Sequence, residues 1–272
     1  MRGLIDGALA EDLGAGDLTS QAVVPPGSRA QGSIVQKAPG MIAGMDVARA
    51  VFERVDTTIA FEAVAPEGRW REGGTVAELS GPTASILAAE RTAINFLGLL
   101  SGVATLTARY VSAVKGTGVT ILDTRKTIPG LRALQKEAVV TGGGGSHRAG
   151  LYDAILVKEN HARAAGGVGE AARLALAAVA DHVLVEVEVE TLAELDEALD
   201  AGITRVLLDN MSLADQRAAV ARAGGRAQLE ASGGITLDTV RQVAATGVDF
   251  ISVGALTHSA PALDLSLVIE SL

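Results

Sequence analysis

HVLVEVEVETLAELDEALDAGITRVLLDN, residues 182–210, decides the fold. VLVEVEVE alternates apolar and acidic residues at the period of a strand, and TLAELDEALDAG carries apolar residues at helical spacing and ends on Gly202. TRVLLDN is a second short apolar run closed by Asp209 and Asn210. A strand, a helix and a strand in that order form a parallel unit, because the helix carries the chain back to the start of the sheet.

The same alternation runs outward in both directions. Upstream lie VTILDTRK (119–126) and DAILVKEN (153–160), and downstream AQLEASGG (227–234) and DFISVGAL (249–256). Helical patterns fall between several of them: ARAAGGVGEAARLALAAVA (162–180), SLADQRAAVARAGG (212–225) and TLDTVRQVAATG (236–247). So many units predict an α/β barrel, whose chemistry sits at the carboxyl ends of its strands. Those ends carry Arg125 and Lys126, Lys158 and Glu159, Glu188 and Glu190, and Asp209.

The first ~80 residues read differently. GSIVQKAPGMIAG (32–44) and AVAPEGRWREGGTVAELSG (63–81) are short alternating strands between Gly and Pro turns, with MDVARAVFERV (45–55) as an amphipathic helix between them. From Thr83 the pattern turns helical through Ile86, Leu87, Ile94 and Leu97, with a helix break expected at Ser101–Gly102.

Composition narrows the function. The 272 residues include no Cys, which excludes disulfides, thiolate metal sites and Cys nucleophiles. Lys and Arg number 23 against 32 Asp and Glu, a net charge of −9, and aromatics are 3%; no generic nucleic-acid or anionic-membrane binder is expected. Acid at Asp6 and Glu11 interrupts any secretory apolar region, so a soluble cytoplasmic protein is expected.

Five groups of residues carry chemistry. Asp123 ends a strand and Arg125 and Lys126 follow it, two cations suited to a dicarboxylate or phosphate or else a plain basic turn. TGGGGSHRAGLYD (141–153) sets His147 and Arg148 after Gly142–Gly145, a run that either brings backbone N–H groups to a ligand or is merely mobile. A histidine beside an arginine stays neutral more readily and can donate to a carboxylate. Lys158 closes an apolar strand, where its charge must face the barrel mouth. Glu186, Glu188 and Glu190 share one strand face, with Asp209 ending the next strand; such carboxylates suit Mg²⁺ and sugar hydroxyls, while Glu186 or Glu190 can equally sit in an ion pair. ASGGI (231–235) and VGALT (253–257) are small-residue turns on the last strands, where barrels hold phosphate.

At these residues the chain resembles the quinolinate phosphoribosyltransferase family. The likeness runs through EDLGAGDLTS (11–20), ERTAINFLGLLSGVAT (90–105), DTRKTIPGLRALQKEAV (123–139), GGGGSHRAGLYDAILVKENH (142–161), EVEVE, LLDN, EASGGI (230–235) and VDFISVGALTHS (248–259). It implies an N-terminal α/β sandwich over 1–100, with 258–272 packing back on it, and an incompletely closed α/β barrel over 101–257. It implies a pentosyl transfer from phosphoribosyl pyrophosphate to quinolinate, with loss of CO₂ and with Mg²⁺, in NAD biosynthesis. It also implies a homodimer or higher homo-oligomer in which Arg91 of one copy serves the site of another. By matching motifs, Arg125, His147, Arg148 and Lys158 bind the quinolinate carboxylates, and Lys126 and Lys158 also face phosphoribosyl pyrophosphate. Glu188 and Asp209 hold ribose hydroxyls and metal, and Ser232, Gly233, Gly234, Gly254 and Ala255 cradle the 5′-phosphate. Lys126, Lys158, Glu188 and Asp209 form the expected catalytic set. One departure is Ser146, where the family has Asn before the His–Arg pair. The competing readings are a molybdenum-transport accessory protein or a nicotinate-specific transferase of the same fold, and a non-catalytic phosphosugar-binding barrel.

Overall fold

The computed structural model describes residues 1–179 and 182–271. The chain divides into two compact units, one of residues 1–108, 129–143 and 259–272 and the other of 109–128 and 144–258. Leu272 and Ala180, which end the expected tail and one expected helix, lie outside the described residues.

The first unit begins with α1 (Arg2–Leu13), α2 (Leu18–Val23), β1 (Arg29–Gln36) and β2 (Gly40–Met41). There follow α3 (Met45–Val55), β3 (Ala60–Ala63), β4 (Trp70–Arg71), β5 (Gly74–Pro82) and the long α4 (Thr83–Ala113), which from Arg109 on belongs to the second unit. The second unit opens with β6 (Thr120–Leu122); α5 (Arg132–Thr141) returns to the first. Next come β7 (Ile155–Val157), α6 (Glu159–Ala165), α7 (Val168–Ala178), β8 (Val185–Val189), α8 (Leu192–Asp200) and β9 (Arg205–Asp209). The second unit ends with α9 (Leu213–Ala223), β10 (Gln228–Ser232), α10 (Val240–Ala244), β11 (Phe250–Ser252) and α11 (Ala255–His258), and β12 (Leu265–Ser271) belongs to the first.

In the first unit four antiparallel strands lie in the order β12-β1-β5-β3. The C-terminal strand closes one edge, pairing Ala30 with Ser271 through to Gln36 with Leu265. Beneath them α3 buries Val47, Ala48, Val51 and Phe52, its apolar stripe. The expected break at Ser101–Gly102 does not occur: α4 is unbroken. Gly102 is instead a close-packing residue, since a Cβ there would collide with the Pro261 carbonyl. Ser101 Oγ accepts the Ala43 N–H at 3.1 Å, and Thr105 Oγ1 accepts that of Met41 at 2.8 Å, so hydroxyls of α4 satisfy these backbone donors. This helix is long and apolar enough to cross a membrane, yet 67% of its most apolar window is buried in the protein.

In the second unit six parallel strands lie in the order β6-β11-β10-β9-β8-β7. β6 and β7, the two ends of that order, are not paired with each other, so the barrel is incompletely closed. β8 shows why these residues make a strand with two useful faces. Val185, Val187 and Val189 are buried on one side, and Glu186 and Glu188 alternate to the other. Each fully buried Val or Leu of this kind contributes about 1.5–3 kcal/mol. Turn chemistry then sends the chain into helices: Thr191 caps α8 and is answered by Glu194, and Ser212 caps α9.

Candidate active site

Strand ends of the second unit enclose a cavity of about 530 Å³. It is lined by Arg125 and Lys126 after β6, His147 and Arg148 after the glycine run, and Lys158 after β7. Glu188 of β8, Asp209 of β9 and Ser232, Gly233 and Gly234 after β10 complete the polar wall.

The cations are held in different ways. Lys158 Nζ donates to Glu188 Oε2 at 2.7 Å, and the Lys158 N–H donates to His161 Nδ1 at 3.0 Å, which sets the turn into α6. Arg148 donates to the Ala154 carbonyl at 3.2 Å. Burial first, and then the charge of Arg125, lower the pKa of Arg148 against the opposing charges of Asp153 and Glu186. Lys126 is exposed; its carbonyl accepts the Thr257 hydroxyl at 2.8 Å, and Gly254 leaves room for its stem, since a Cβ there would come within 3.1 Å of Lys126 Cδ. Gly254 therefore borders Lys126, and neither Gly254 nor Ala255 lines the cavity itself.

Exposure of the acids increases along β8 and into the residue after it. Glu186 is 1% exposed and meets Arg205, Glu188 is 12% exposed on its side chain, and Glu190 is exposed. Glu159, with Glu194, Asp209 and Glu188, raises the pKa of Glu190, marking an excess of negative charge at the mouth. Of the two acids read as ion-pair candidates, Glu186 is the one so held, 3.2 Å from Arg205.

His147 differs from expectation. Its Nδ1 accepts the Arg148 N–H at 2.7 Å, and its Nε2 lies 3.0 Å from Glu186 and 3.6 Å from Glu230. Burial lowers its pKa, but the Glu186 hydrogen bond and the charges of Glu230 and Glu186 raise it further, leaving a net rise. The neighbouring Arg148 thus does not set the electrostatics of this ring. Its Nε2 faces carboxylates of the protein.

Arg91 is exposed on α4, in the other compact unit. Ser146 Oγ lies 3.4 Å from Asp123, whose other oxygen accepts the His147 N–H at 2.9 Å.

Three residues of the site escape a reading by motif. Asn210 takes a left-handed φ of 52°, donates from Nδ2 to Asp209 Oδ2 at 2.8 Å, and gives its N–H to the Ser232 carbonyl at 2.9 Å. A Cβ at Gly233 would strike Asn210, so that glycine is required by contact as well as by its φ of 100°. Glu230 and Arg205 are charged residues inside apolar strands, the same signal that singled out Lys158.

Comparisons with known proteins agree with this geometry. Residues 17–101 match the N-terminal domain and residues 103–268 the C-terminal domain of quinolinate phosphoribosyl transferase. The chain is 45% identical over 273 residues to nicotinate-nucleotide pyrophosphorylase [carboxylating] of Mycobacterium leprae, covering 98% of this chain and 96% of that one. It is 40% identical to quinolinate phosphoribosyltransferase [decarboxylating] 1 of Nicotiana glauca, covering all of this chain and 83% of the other. The solved structure of NadC from Streptococcus pyogenes superposes with a TM-score of 0.95 at 38% identity, covering 100% of this chain and 96% of that one. Matched over both domains and with its strand-end cations and acids around one cavity, this chain belongs to the quinolinate phosphoribosyltransferase family.

Proposed function

We propose that this protein joins quinolinate to phosphoribosyl pyrophosphate, giving nicotinate mononucleotide, pyrophosphate and CO₂. The observation that carries the reading is one cavity lined by four cations, Arg125, Lys126, Arg148 and Lys158, together with Glu188 and Asp209. A pyridine with two carboxylates is a dianion at neutral pH. Arg125 and Arg148, both lining the cavity, supply planar guanidinium donors for it. Lys126 and Lys158 neutralise phosphate oxygens, and the turn from Ser232 to Gly234 holds the 5′-phosphate.

The ring nitrogen attacks C1 of the ribose as the bond from C1 to the pyrophosphate oxygen breaks, that oxygen leaving with the electron pair. Positive charge develops at C1, and Glu188 and Asp209 stabilise it. The ring nitrogen is now cationic. It takes up the electron pair of the adjacent carbon–carboxylate bond as CO₂ departs, and a proton replaces the carboxylate. The carboxylate oxygens of Glu188 and Asp209 suit a hard divalent cation, and the excess acid around Glu190 favours one. Glu188 and Asp209 would hold Mg²⁺, directly or through water, and the ion would supply screening of the pyrophosphate charge. A second copy of the chain brings its Arg91 to the diacid, which makes the working form at least a homodimer.

Purified protein is incubated with phosphoribosyl pyrophosphate and either carboxyl-labelled quinolinate or nicotinate. Labelled CO₂ and a pyridine nucleotide from quinolinate support the reading; turnover of nicotinate alone, or binding without turnover, overturns it. Mixing the Arg91→Ala and Lys126→Ala variants tests the shared site. Mixed dimers with one intact site recover activity that neither parent has.

A further inference from the structure

β9 and β10 are parallel neighbours, with Asp209 in register with Ser232, so an acid and a glycine turn leave the sheet side by side. One residue links them. Asn210, the first residue after β9, is the only residue other than glycine with a positive φ among the described residues, at 52°. The left-handed region disfavours L side chains, although Asn tolerates it better than most. A residue stays in such a conformation where its surroundings over-determine it, and such residues gather at functional sites.

Three contacts hold Asn210 in place. Its backbone N–H donates to the Ser232 carbonyl at 2.9 Å, which carries the pairing of β9 with β10 one residue past the end of β9. Its side-chain Nδ2 donates to Asp209 Oδ2 at 2.8 Å. Its Oδ1 and Cγ fill the space that a Cβ at Gly233 would need, so the glycine is a slot for the Asn210 amide. Asp209, Asn210, Ser232 and Gly233 all line the cavity.

The type of side chain matters. The last torsion of an aspartate is broad, so a carboxylate with no donor turns freely. One donor on Oδ2 fixes its plane and leaves Oδ1 for a ligand. An amide does this without neutralising the acid, whereas a lysine or arginine would form an ion pair with it. Glu188 shows the contrast, since its Oε2 accepts from Lys158 Nζ at 2.7 Å. Of the two acids assigned to the pentose, Asp209 is the one held by a neutral donor.

We propose that Asn210 is a positioning residue: its amide, wedged between Asp209 and Gly233, fixes the plane of the Asp209 carboxylate against the pentose and holds it in register with the turn that takes the 5′-phosphate. The inference rests on the function proposed above for the identity of the pentose ligand; the orientation of Asp209 is a property of the free protein.

Asn210→Gly tests it, because glycine adopts this φ without strain and only the side chain is lost. Ligand-free crystal structures of parent and variant give a readout that needs no turnover. Asp209 turned, or divided between rotamers, in the variant is the expected result; an Asp209 carboxylate unmoved from its parental orientation overturns the proposal. Kinetics give a second readout. The kcat of Asn210→Gly falls roughly 10- to 100-fold, as for a lost hydrogen bond to a charged group that acts in the transition state. The quinolinate KM stays within about twofold of the parent's, because the cations that hold the diacid are untouched. An unchanged kcat, or a loss carried by the quinolinate KM alone, overturns the proposal. Asn210→Asp keeps the shape and removes the donor, so it loses kcat at least as far, and parental kcat in that variant is equally fatal. Should Asn210→Gly fail to fold, Asn210→Asp is crystallised and read in the same way. Should the parent not turn over quinolinate, the proposed function fails, and the crystal structures still decide the role of Asn210.

Discussion

Two pairs of glutamates treat the same electrostatic problem in opposite ways. On the sheet of the first unit, Glu62 of β3 lies directly opposite Glu78 of β5, and both are exposed. Glu270 joins them around a shallow cavity of about 380 Å³ with no basic residue in its lining. Water is the compensating medium there, and two charges at 4 Å repel by only about 1 kcal/mol in it. In the second unit Glu186 and Glu230 are 1% and 0% exposed, and water has no access. The protein itself supplies Arg205 and His147. Like charges cost little where solvent reaches them; buried, they dictate every neighbour. That contrast also separates the two cavities by ligand. The exposed acids of the first repel a dicarboxylate or a phosphate, whereas the second masks its acids at the floor and presents cations above them.

The contrast can be broken at its strongest point. Arg205→Leu leaves two buried carboxyl groups with one partner fewer, and a loss of about 3–5 kcal/mol in urea denaturation is expected. A loss under about 1 kcal/mol would show that the set is not held by charge. Next in size is the cation wall. Arg148→Ala should lower kcat/KM by about 10²- to 10³-fold with an unchanged circular dichroism spectrum, as for loss of one preorganised donor at a developing charge. Near-parental activity would remove Arg148 from the site.

A smaller effect sharpens the comparison through pH. The folded-state pKa of Glu230 is raised, by burial first. Its stabilising contribution is therefore complete below the unfolded carboxyl value of about 4.3 and is lost as pH rises toward the folded value, since the folded state holds the extra proton. Glu230→Gln removes this term, so its melting temperature should fall less steeply than the parent's from about pH 5 upward. Parallel slopes would place the proton elsewhere. The smallest effect belongs to the exposed pair. Glu78→Lys turns a like-charged cross-strand pair into an opposite one and should raise stability by no more than about 1 kcal/mol, read by thermal melting.

Much of this molecule is legible residue by residue. All six parallel strands and the helices α8 and α9 lie where period and caps put them, because hydrophobic alternation and N-cap chemistry are local. The misread position is Gly102, a glycine inside a helical pattern whose reason is the Pro261 carbonyl, distant in sequence. His147 was misread electrostatically for the same kind of reason. Its neighbour in the chain is Arg148, while its neighbours in space are Glu186 and Glu230.

By itself, then, the sequence determined the parallel architecture, the acidic and cationic strand ends, and the family, since these rest on short-range patterns and on motifs read in order. Only the tertiary structure decided which charges share a dielectric. Strands β8, β9 and β10 are neighbours in the sheet, which brings Glu186, Arg205 and Glu230 together across 45 residues of chain. Burial and mutual distance, neither of which a single strand encodes, then fix which of those groups is charged.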